Sequence, residues 1–243
     1  MSNKTVHELY HQKTKSVRKV INENNFTYRL LIDSLNQVII KKKLNILDIG
    51  CGAGTLALYL SSKGHNVTGI DISTQAIKAC KVSAKNLNLN TKFYNKDFMS
   101  NDLKEKYDLV IFSEVIEHLP DDKKALKKIY KLLKPAGILL LSTPSIKAPL
   151  HRLGLTRKFD TEVGHLRRYT KFSISKLIRD SDLKIITIRQ TEGILRNFLY
   201  VNPVASKYIR FIKYFVSDFV TQVDNILVKL FGESNFIIIA TKK

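Results

Sequence analysis

Short apolar runs alternate with helical stretches between residues 44 and 142, and this rhythm constrains the fold more than any other feature of the sequence. Within the runs, apolar and polar residues do not alternate. Strands of that composition are buried on both faces, as in a parallel sheet covered by helices on each side. The sequence therefore predicts a doubly wound α/β fold. Strands are expected at 44–49, 66–70, 92–95, 107–112 and 137–142, and helices at 54–63, 74–87 and 122–133.

The rhythm breaks after Pro144. Residues 193–231 have apolar side chains at helical spacing and precede a last apolar run, so we interpret them as a helical insertion before the final strand. A chain of 243 residues can bury one full-sized core. The other expected elements are a loop at 145–170, a helix at 173–180, and strands at 183–188 and 235–240. The expected division is an N-terminal helical segment at 1–40 and a single domain at 41–243.

Three glycines follow the first predicted strand. Gly50, Gly52 and Gly54 stand in its turn to the next helix, where positive φ and close approach of a ligand to the backbone are both allowed. Asp71 ends the second strand, where a carboxylate can accept both hydroxyls of a ribose. Asp48 precedes the first glycine by two residues. An anion there would repel a pyrophosphate but suits the ammonium of a methionine, which favours S-adenosylmethionine (SAM) over NAD.

Five sequence motifs occur in the order seen in class I SAM-dependent methyltransferases. They are LDIGCGAG at 47–54, VTGIDIS at 67–73, KDF at 96–98, FSEVIEHLPD at 112–121 and LKPAGILLLSTPS at 133–145. In these motifs the chain most resembles quinone-biosynthesis O-methyltransferases and methyltransferases of cell-surface lipid and polysaccharide assembly. The resemblance implies a Rossmann-like sheet of seven strands whose last strand is antiparallel.

The resemblance also implies which residues contact the cofactor. They are Asp48, Gly50, Cys51, Gly52 and Gly54 for the methionine part, Asp71 for the ribose, Ile72 and Phe98 for the faces of the adenine, Asp97 for its amino group, and Ser113, Glu114 and Val115 for the methionine side of the pocket.

A Glu-Glu-His segment follows the fourth strand. Glu114, Glu117 and His118 would share one face if this segment turned helically. Carboxylates and imidazoles can ligate Mg²⁺ or Mn²⁺, and some similar methyltransferases hold such an ion here with a further downstream histidine, for which His165 is the candidate. His118 or His165 could instead act as the general base for a hydroxyl. A third alternative is that these residues only shape the pocket.

The net charge of +20 at pH 7 attracts anionic partners, and a generally lysine-rich composition is the alternative explanation. The insertion combines an apolar stripe with Lys207, Arg210 and Lys213, which is typical of a helix lying on an anionic membrane; packing on the core or on a second copy is the alternative. The segment 147–171 is also basic, and its arginines suit phosphate. Only two cysteines and no apolar leader are present, so we expect a cytoplasmic protein, associated with the cytoplasmic face of a membrane if the insertion binds lipid.

Together these features predict SAM-dependent O-methylation of a hydroxylated small molecule or a lipid-linked acceptor, such as a quinone precursor or a glycolipid. The charge and the Glu-Glu-His segment keep an RNA 2′-O-methyltransferase as an alternative, although no aromatic platform for stacking bases is visible. A non-catalytic SAM-binding or scaffold subunit is the alternative from a different class of protein.

Overall fold

The structure is a computed structural model that describes residues 8, 19–39, 43–202, 204–207 and 214–242, with the side chains of 214 and 215 left out. Its centre is a sheet of seven strands in the order β3-β2-β1-β4-β5-β7-β6. Strand β7 is antiparallel to both of its neighbours, and the other pairings are parallel. The fold prediction is confirmed. The strands are β1 (Asn45–Ile49), β2 (Asn66–Asp71), β3 (Lys92–Asn95), β4 (Tyr107–Ser113), β5 (Leu133–Pro144), β6 (Leu183–Thr191) and β7 (Asn235–Lys242).

Helices connect and cover these strands. Ser73 begins the helix after β2 by accepting a hydrogen bond from the Ala76 N–H, and Thr170 caps the helix before β6 in the same way through Ser173. The helices are α1 (Arg29–Asn36), α2 (Thr55–Ser62), α3 (Thr74–Asn86), α4 (Asp122–Leu132), α5 (Pro149–Arg152), α6 (Arg157–Val163), α7 (Lys171–Arg179), α8 (Ile194–Val201) and α9 (Tyr214–Phe231).

Both faces of the sheet are buried. In β1, Leu47 packs into one apolar layer and its neighbour Ile46 into the other; in β4, Val110 and Leu109 divide in the same way. Because successive side chains of a strand point to opposite faces, a strand between two helical layers must be apolar throughout. This explains the uninterrupted apolar runs in the sequence.

The expectation of a loop at 145–170 is wrong. Two short helices, α5 and α6, interrupt this segment. Pro149 stands in the first turn of α5, where its fixed φ suits a helix, and Gly164 ends α6 in the left-handed conformation. No residue of α6 is buried, so the helix leaves no apolar periodicity in the sequence.

The helical insertion at 193–231 contains α8 and α9. Between these two helices Val204 lies in a turn, where its N–H donates to the Asn202 side chain. Arg210 and Lys213 lie outside the described residues.

The N-terminal segment contains α1. An ion pair of 2.5 Å between Arg29 of α1 and Asp218 of α9 joins these two helices. Across the described part of the chain, no helix has both the length and the apolar character needed to cross a bilayer.

Candidate functional site

A cavity of about 810 Å³ opens where β1, β2 and β4 end. In α/β folds this carboxyl edge of the sheet is where ligands bind. The structure brings all but one of the predicted cofactor residues, and both predicted histidines, to the walls of this cavity. The predicted residues that line it are Asp48, Gly50, Cys51, Gly52, Asp71, Ile72, Asp97, Phe98, Ser113, Glu114, Val115, His118 and His165.

The exception is Gly54, which shapes the loop from behind. It precedes the first residue of α2 with a φ of +75°, and a Cβ there would lie 2.8 Å from Cys80 Sγ. Gly50 has a φ of +70°, and its Cβ would lie 2.4 Å from Val115 Cγ2. The Gly50 N–H donates to the Ile70 carbonyl. The glycines therefore allow the loop to lie close against β2, α3 and the segment after β4.

Two carboxyl groups flank the glycine loop. Asp48 is only 4% exposed, and burial, together with the neighbouring Asp71, raises its pKa to about 7. The Asp71 carboxylate accepts hydrogen bonds from the Gly52 and Ser73 N–H groups, each at 2.8 Å. A carboxylate has about four lone-pair positions, so Asp71 can still accept the hydroxyls of a ribose.

The adenine end of the predicted site follows β3. Phe98 is buried and packs at 5.8 Å, centroid to centroid, from Phe112. Asp97 accepts hydrogen bonds of 2.8 Å from the Met99 N–H and the Ser100 hydroxyl. These contacts hold the KDF turn in one conformation at the cavity wall.

Glu114 adopts a left-handed backbone with a φ of +54°. This conformation is unfavourable for a residue other than glycine, and strained residues of this kind cluster at functional sites. The carboxylate accepts hydrogen bonds from the Ser142 hydroxyl at 2.6 Å and from the Asn235 amide at 2.9 Å. The helical turn that would place Glu114, Glu117 and His118 on one face does not form: the segment turns only as a 3-10 helix, Ile116–His118, and Glu114 contacts a different set of partners.

Glu117, His118 and His165 do converge, with one potential ligand atom from each lying within 4.8 Å of the others. Glu117 Oε1 is 3.9 Å from His118 Nε2 and 3.8 Å from His165 Nε2. The Leu166 N–H donates to the Glu117 carbonyl, which draws the histidine loop onto the segment after β4.

The Glu117 side chain is fully buried. Its Oε2 accepts from the Thr143 hydroxyl at 3.1 Å, whereas Oε1 has no hydrogen-bond partner among the described residues. Burial, and then the charge of Glu114, raise the pKa of Glu117 well above its usual range. A buried carboxylate in this position needs a proton or a cation.

Other groups orient the two imidazoles. His118 Nδ1 lies 3.1 Å from the Gly164 carbonyl, and His165 Nδ1 lies 2.8 Å from Asp160 Oδ1. Arg168 donates to both oxygens of Asp160, at 2.6 and 3.1 Å. Burial alone would raise the pKa of Asp160, but hydrogen bonds from His165 and Arg168 outweigh it and hold that pKa well below its usual range. With Nδ1 held in this way, each imidazole directs its Nε2 toward Glu117. Metal-ligating histidines are commonly oriented like this, with the other ring nitrogen bound to a carbonyl or a carboxylate.

Sequence reasoning missed several members of the site. Asp160 and Arg168 support His165, and Glu192 and Asn235 line the cavity from the far end of the sheet. The arginines of the basic segment 147–171 suit phosphate by their chemistry, yet two of them are ion-paired within the protein: Arg168 with Asp160, and Arg167 with Asp122 at 2.8 Å. A chain-wide charge balance does not reveal such pairs.

The cavity lies at the carboxyl edge of a Rossmann-like sheet, with a glycine loop and acidic residues after β1 and β2, which is where nucleotide cofactors bind in folds of this type. Comparison with known proteins agrees. A family model for the methyltransferase domain matches residues 22–188, and the chain belongs to this family.

Relatives and solved structures extend the comparison. The ubiquinone biosynthesis O-methyltransferase of Rickettsia akari is 31% identical over 151 residues, which are 59% of this chain and 60% of that protein. The protein of the same name from Coxiella burnetii (strain Dugway 5J108-111) is 34% identical over 111 residues, 45% of this chain and 47% of that protein. The chain thus spans about half the length of these curated relatives.

Phosphoethanolamine N-methyltransferase 2 of Haemonchus contortus, solved with S-adenosyl-L-methionine, has the same fold. It superposes with a TM-score of 0.67 and 16% identity, covering 100% of this chain and 57% of that one.

Proposed function

We propose that this chain transfers a methyl group from SAM to a hydroxyl oxygen of a small or lipid-linked acceptor. The convergence of the glycine loop, Asp48 and Asp71 on one cavity supports SAM as the methyl donor. When bound, SAM supplies an electrophilic methyl on a sulfonium. Asp48 and the loop would hold its methionine part, Asp71 the ribose, and the 97–98 turn the adenine.

The single observation that supports an acceptor hydroxyl is the group formed by Glu117, His118 and His165 beside that cavity. Its residues fit a divalent cation: Glu117 Oε1 is buried and unpartnered among the described residues, and two oriented imidazoles lie within 4 Å of it. A cation held there would supply Lewis-acid polarisation of the acceptor hydroxyl. In methyl transfer the O–CH₃ bond forms as the S–CH₃ bond breaks, and the hydroxyl proton must leave.

A general base is the second candidate for the same group. The hydrogen bond between His165 Nδ1 and Asp160 supports it, because a carboxylate at Nδ1 fixes the tautomer in which Nε2 can accept a proton. The rest of the rate would come from alignment and desolvation of the two reactants in the cavity.

Turnover with and without divalent ions distinguishes these roles. Purified protein incubated with methyl-labelled SAM and cell extract should label a small-molecule or lipid-soluble fraction. Exhaustive treatment with EDTA should abolish the labelling, and Mg²⁺ or Mn²⁺ should restore it, since the imidazole–carboxylate group would lose its cation.

Labelling that resists chelation would contradict the cation and favour the general base. Label found only in RNA would contradict the small-molecule acceptor. Absence of label from every fraction would contradict catalysis and favour the scaffold alternative.

We also propose that α9 lies on an anionic membrane surface. Val216, Phe219, Ile226 and Leu230 are all about half exposed or more and are spaced three, seven and four residues apart, so they form one stripe on the helix. The acids of α9 do not oppose binding, because Asp218 is paired with Arg29 and Asp224 is 1% exposed.

The helix is also close to the cavity. It packs against α8, whose Asn197 and Val201 line the cavity while Phe198 is exposed on the outside. An acceptor with a lipid tail could therefore remain in the bilayer while its hydroxyl enters the cavity.

Vesicle binding tests the membrane proposal. Binding to phosphatidylglycerol vesicles should exceed binding to phosphatidylcholine vesicles and weaken with salt. Phe219→Glu should reduce vesicle binding about tenfold or more. Burial of the phenylalanine ring in the membrane contributes about 1.5–3 kcal/mol, and the variant replaces this ring with a negative charge. Val82→Glu adds the same charge at an exposed apolar position on α3 and should have no effect beyond net charge. Equal losses in both variants, or self-association in place of vesicle binding, would contradict the proposal.

A further inference from the structure

A second acidic group lies in the cavity, apart from the glycine loop and the Glu117–His118–His165 group. We infer that Glu192, which lines the cavity together with Glu114, binds a hydrogen-bond-donating hydroxyl or ammonium of the acceptor and excludes acceptors with an anionic group at that position. The inference rests on the proposed function for the identity of the ligand as a methyl acceptor. It names the electrostatic class of that acceptor.

The backbone at both glutamates is strained. Glu192 directly follows β6 with a φ of +58°, and Glu114 directly follows β4 with a φ of +54°. Among the described residues, the other non-glycine positions with positive φ are Asn88, Ala136 and Asp182, and none of these lines the cavity. Glutamate is not a residue that favours this conformation, and such strain persists where surrounding contacts impose it. Both strained glutamates therefore stand at the cavity, each at the end of a strand.

The turn that carries Glu192 is held from several sides. Asp224 of α9 accepts hydrogen bonds from the Gly193 N–H at 2.8 Å and the Arg196 N–H at 3.1 Å. Its carboxylate therefore caps the N-terminus of α8, which starts one residue after Gly193 and two after Glu192. The Ser234 N–H donates to the Glu192 carbonyl at 2.6 Å. A Cβ on Gly193 would lie 2.7 Å from the Asp224 carbonyl oxygen, so this approach needs glycine. These contacts fix the Glu192 backbone at the cavity wall.

Both carboxyl groups belong to one cavity wall. Asn235 Nδ2, in the same wall, donates to Glu114 Oε1 at 2.9 Å. Burial, and then the charge of Glu114, raise the pKa of Glu192 to about 7. A ligand that donates a hydrogen bond or carries a positive charge relieves this repulsion, and an anionic ligand adds to it.

The rest of the cavity wall does not offset this acidity. Its carboxyl groups are those of Asp48, Asp71, Asp97, Glu114 and Glu192, and its lysine and arginine are Lys96 and Arg168. The Arg168 guanidinium is already held by Asp160. The cavity is thus acidic in a chain of net charge +20. The net positive charge of the chain therefore does not predict the charge of the ligand that the cavity binds.

Ligand charge provides the test. The probes are 4-methylcatechol, dopamine and 3,4-dihydroxybenzoate, which share two adjacent hydroxyls and differ in net charge. Binding to protein loaded with S-adenosylhomocysteine is measured by calorimetry. The wild type should bind the neutral and cationic probes about tenfold or more tightly than the benzoate, and Glu192→Gln should reduce that preference to about twofold. Glu105→Gln removes the same charge at an exposed position and should change nothing.

Glu192→Gly is a second variant, because glycine adopts this backbone without strain, and it should lose the preference as well. Equal binding of the three probes by the wild type, a preference that persists in both variants, or no binding of any probe would overturn the inference. Methyl transfer is measured separately on the same probes. Selective binding without transfer contradicts the proposed function alone, whereas transfer with a selectivity that is independent of Glu192 contradicts only the inference.

Discussion

Glu117→Gln should lower the rate of methyl transfer at least about a hundredfold, or about 2.7 kcal/mol of transition-state stabilisation, while SAM affinity stays within about twofold. Glu117 Oε1 is buried and lies between two imidazole nitrogens at 3.8 and 3.9 Å, with no hydrogen-bond partner in the described structure. Glutamine fills the same volume but brings no negative charge, so neither a cation nor an imidazolium is stabilised. Steady-state kinetics and calorimetry with SAM measure the two quantities.

Glu162→Gln is the matched control. Glu162 lies on α6 with its side chain 63% exposed and contacts Lys158 only at 3.9 Å, so the same loss of charge there should leave turnover unchanged. Turnover of Glu117→Gln within about fivefold of the wild type would show that the group only shapes the cavity. An equal loss of SAM affinity would place Glu117 in the cofactor site.

Composition and periodicity were sufficient to predict the central strands of the sheet, because a strand buried on both faces has to be apolar throughout its length. Ile46 and Leu47 illustrate this, since adjacent residues enter opposite layers. The antiparallel last strand came from the resemblance, as nothing in the apolar run at 235–240 encodes direction. The loop expected at 145–170 was wrong because α6 buries no side chain, although Pro149 and Gly164 were visible signals of helix ends.

The cofactor loop could be predicted because its chemistry is local: glycines, Asp48 and the strand stand together in the sequence. The acceptor side could not, because it depends on contacts between distant segments. The left-handed backbone of Glu114 turns its side chain away from Glu117, and the i, i+3 spacing in the sequence does not reveal this. Glu192 and Glu114 line one cavity because the end of β6 pairs with the start of the antiparallel β7, where Asn235 donates to Glu114. The role of Asp160 depends on its hydrogen bond to His165.

Gly50→Ala should weaken SAM binding about tenfold to a hundredfold, and Gly64→Ala offers a control with the same local strain. Both glycines have positive φ, +70° and +93°, so alanine should cost each variant about 1–2 kcal/mol of folding stability. Only at Gly50 does the new methyl meet a neighbour: it would lie 2.4 Å from Val115 Cγ2, whereas no atom lies within 4 Å at Gly64. Relief of that overlap must displace the glycine loop or Val115, both of which line the cavity. The cost, about 1–3 kcal/mol, then appears in cofactor binding. Thermal unfolding should show a loss in both variants, larger for Gly50→Ala because of the overlap with Val115, and calorimetry with SAM should show weaker binding for Gly50→Ala alone. Equal SAM affinity in both would mean that the cofactor does not contact this loop, and the assignment of Asp48 and the glycines to the methionine part would fail with it.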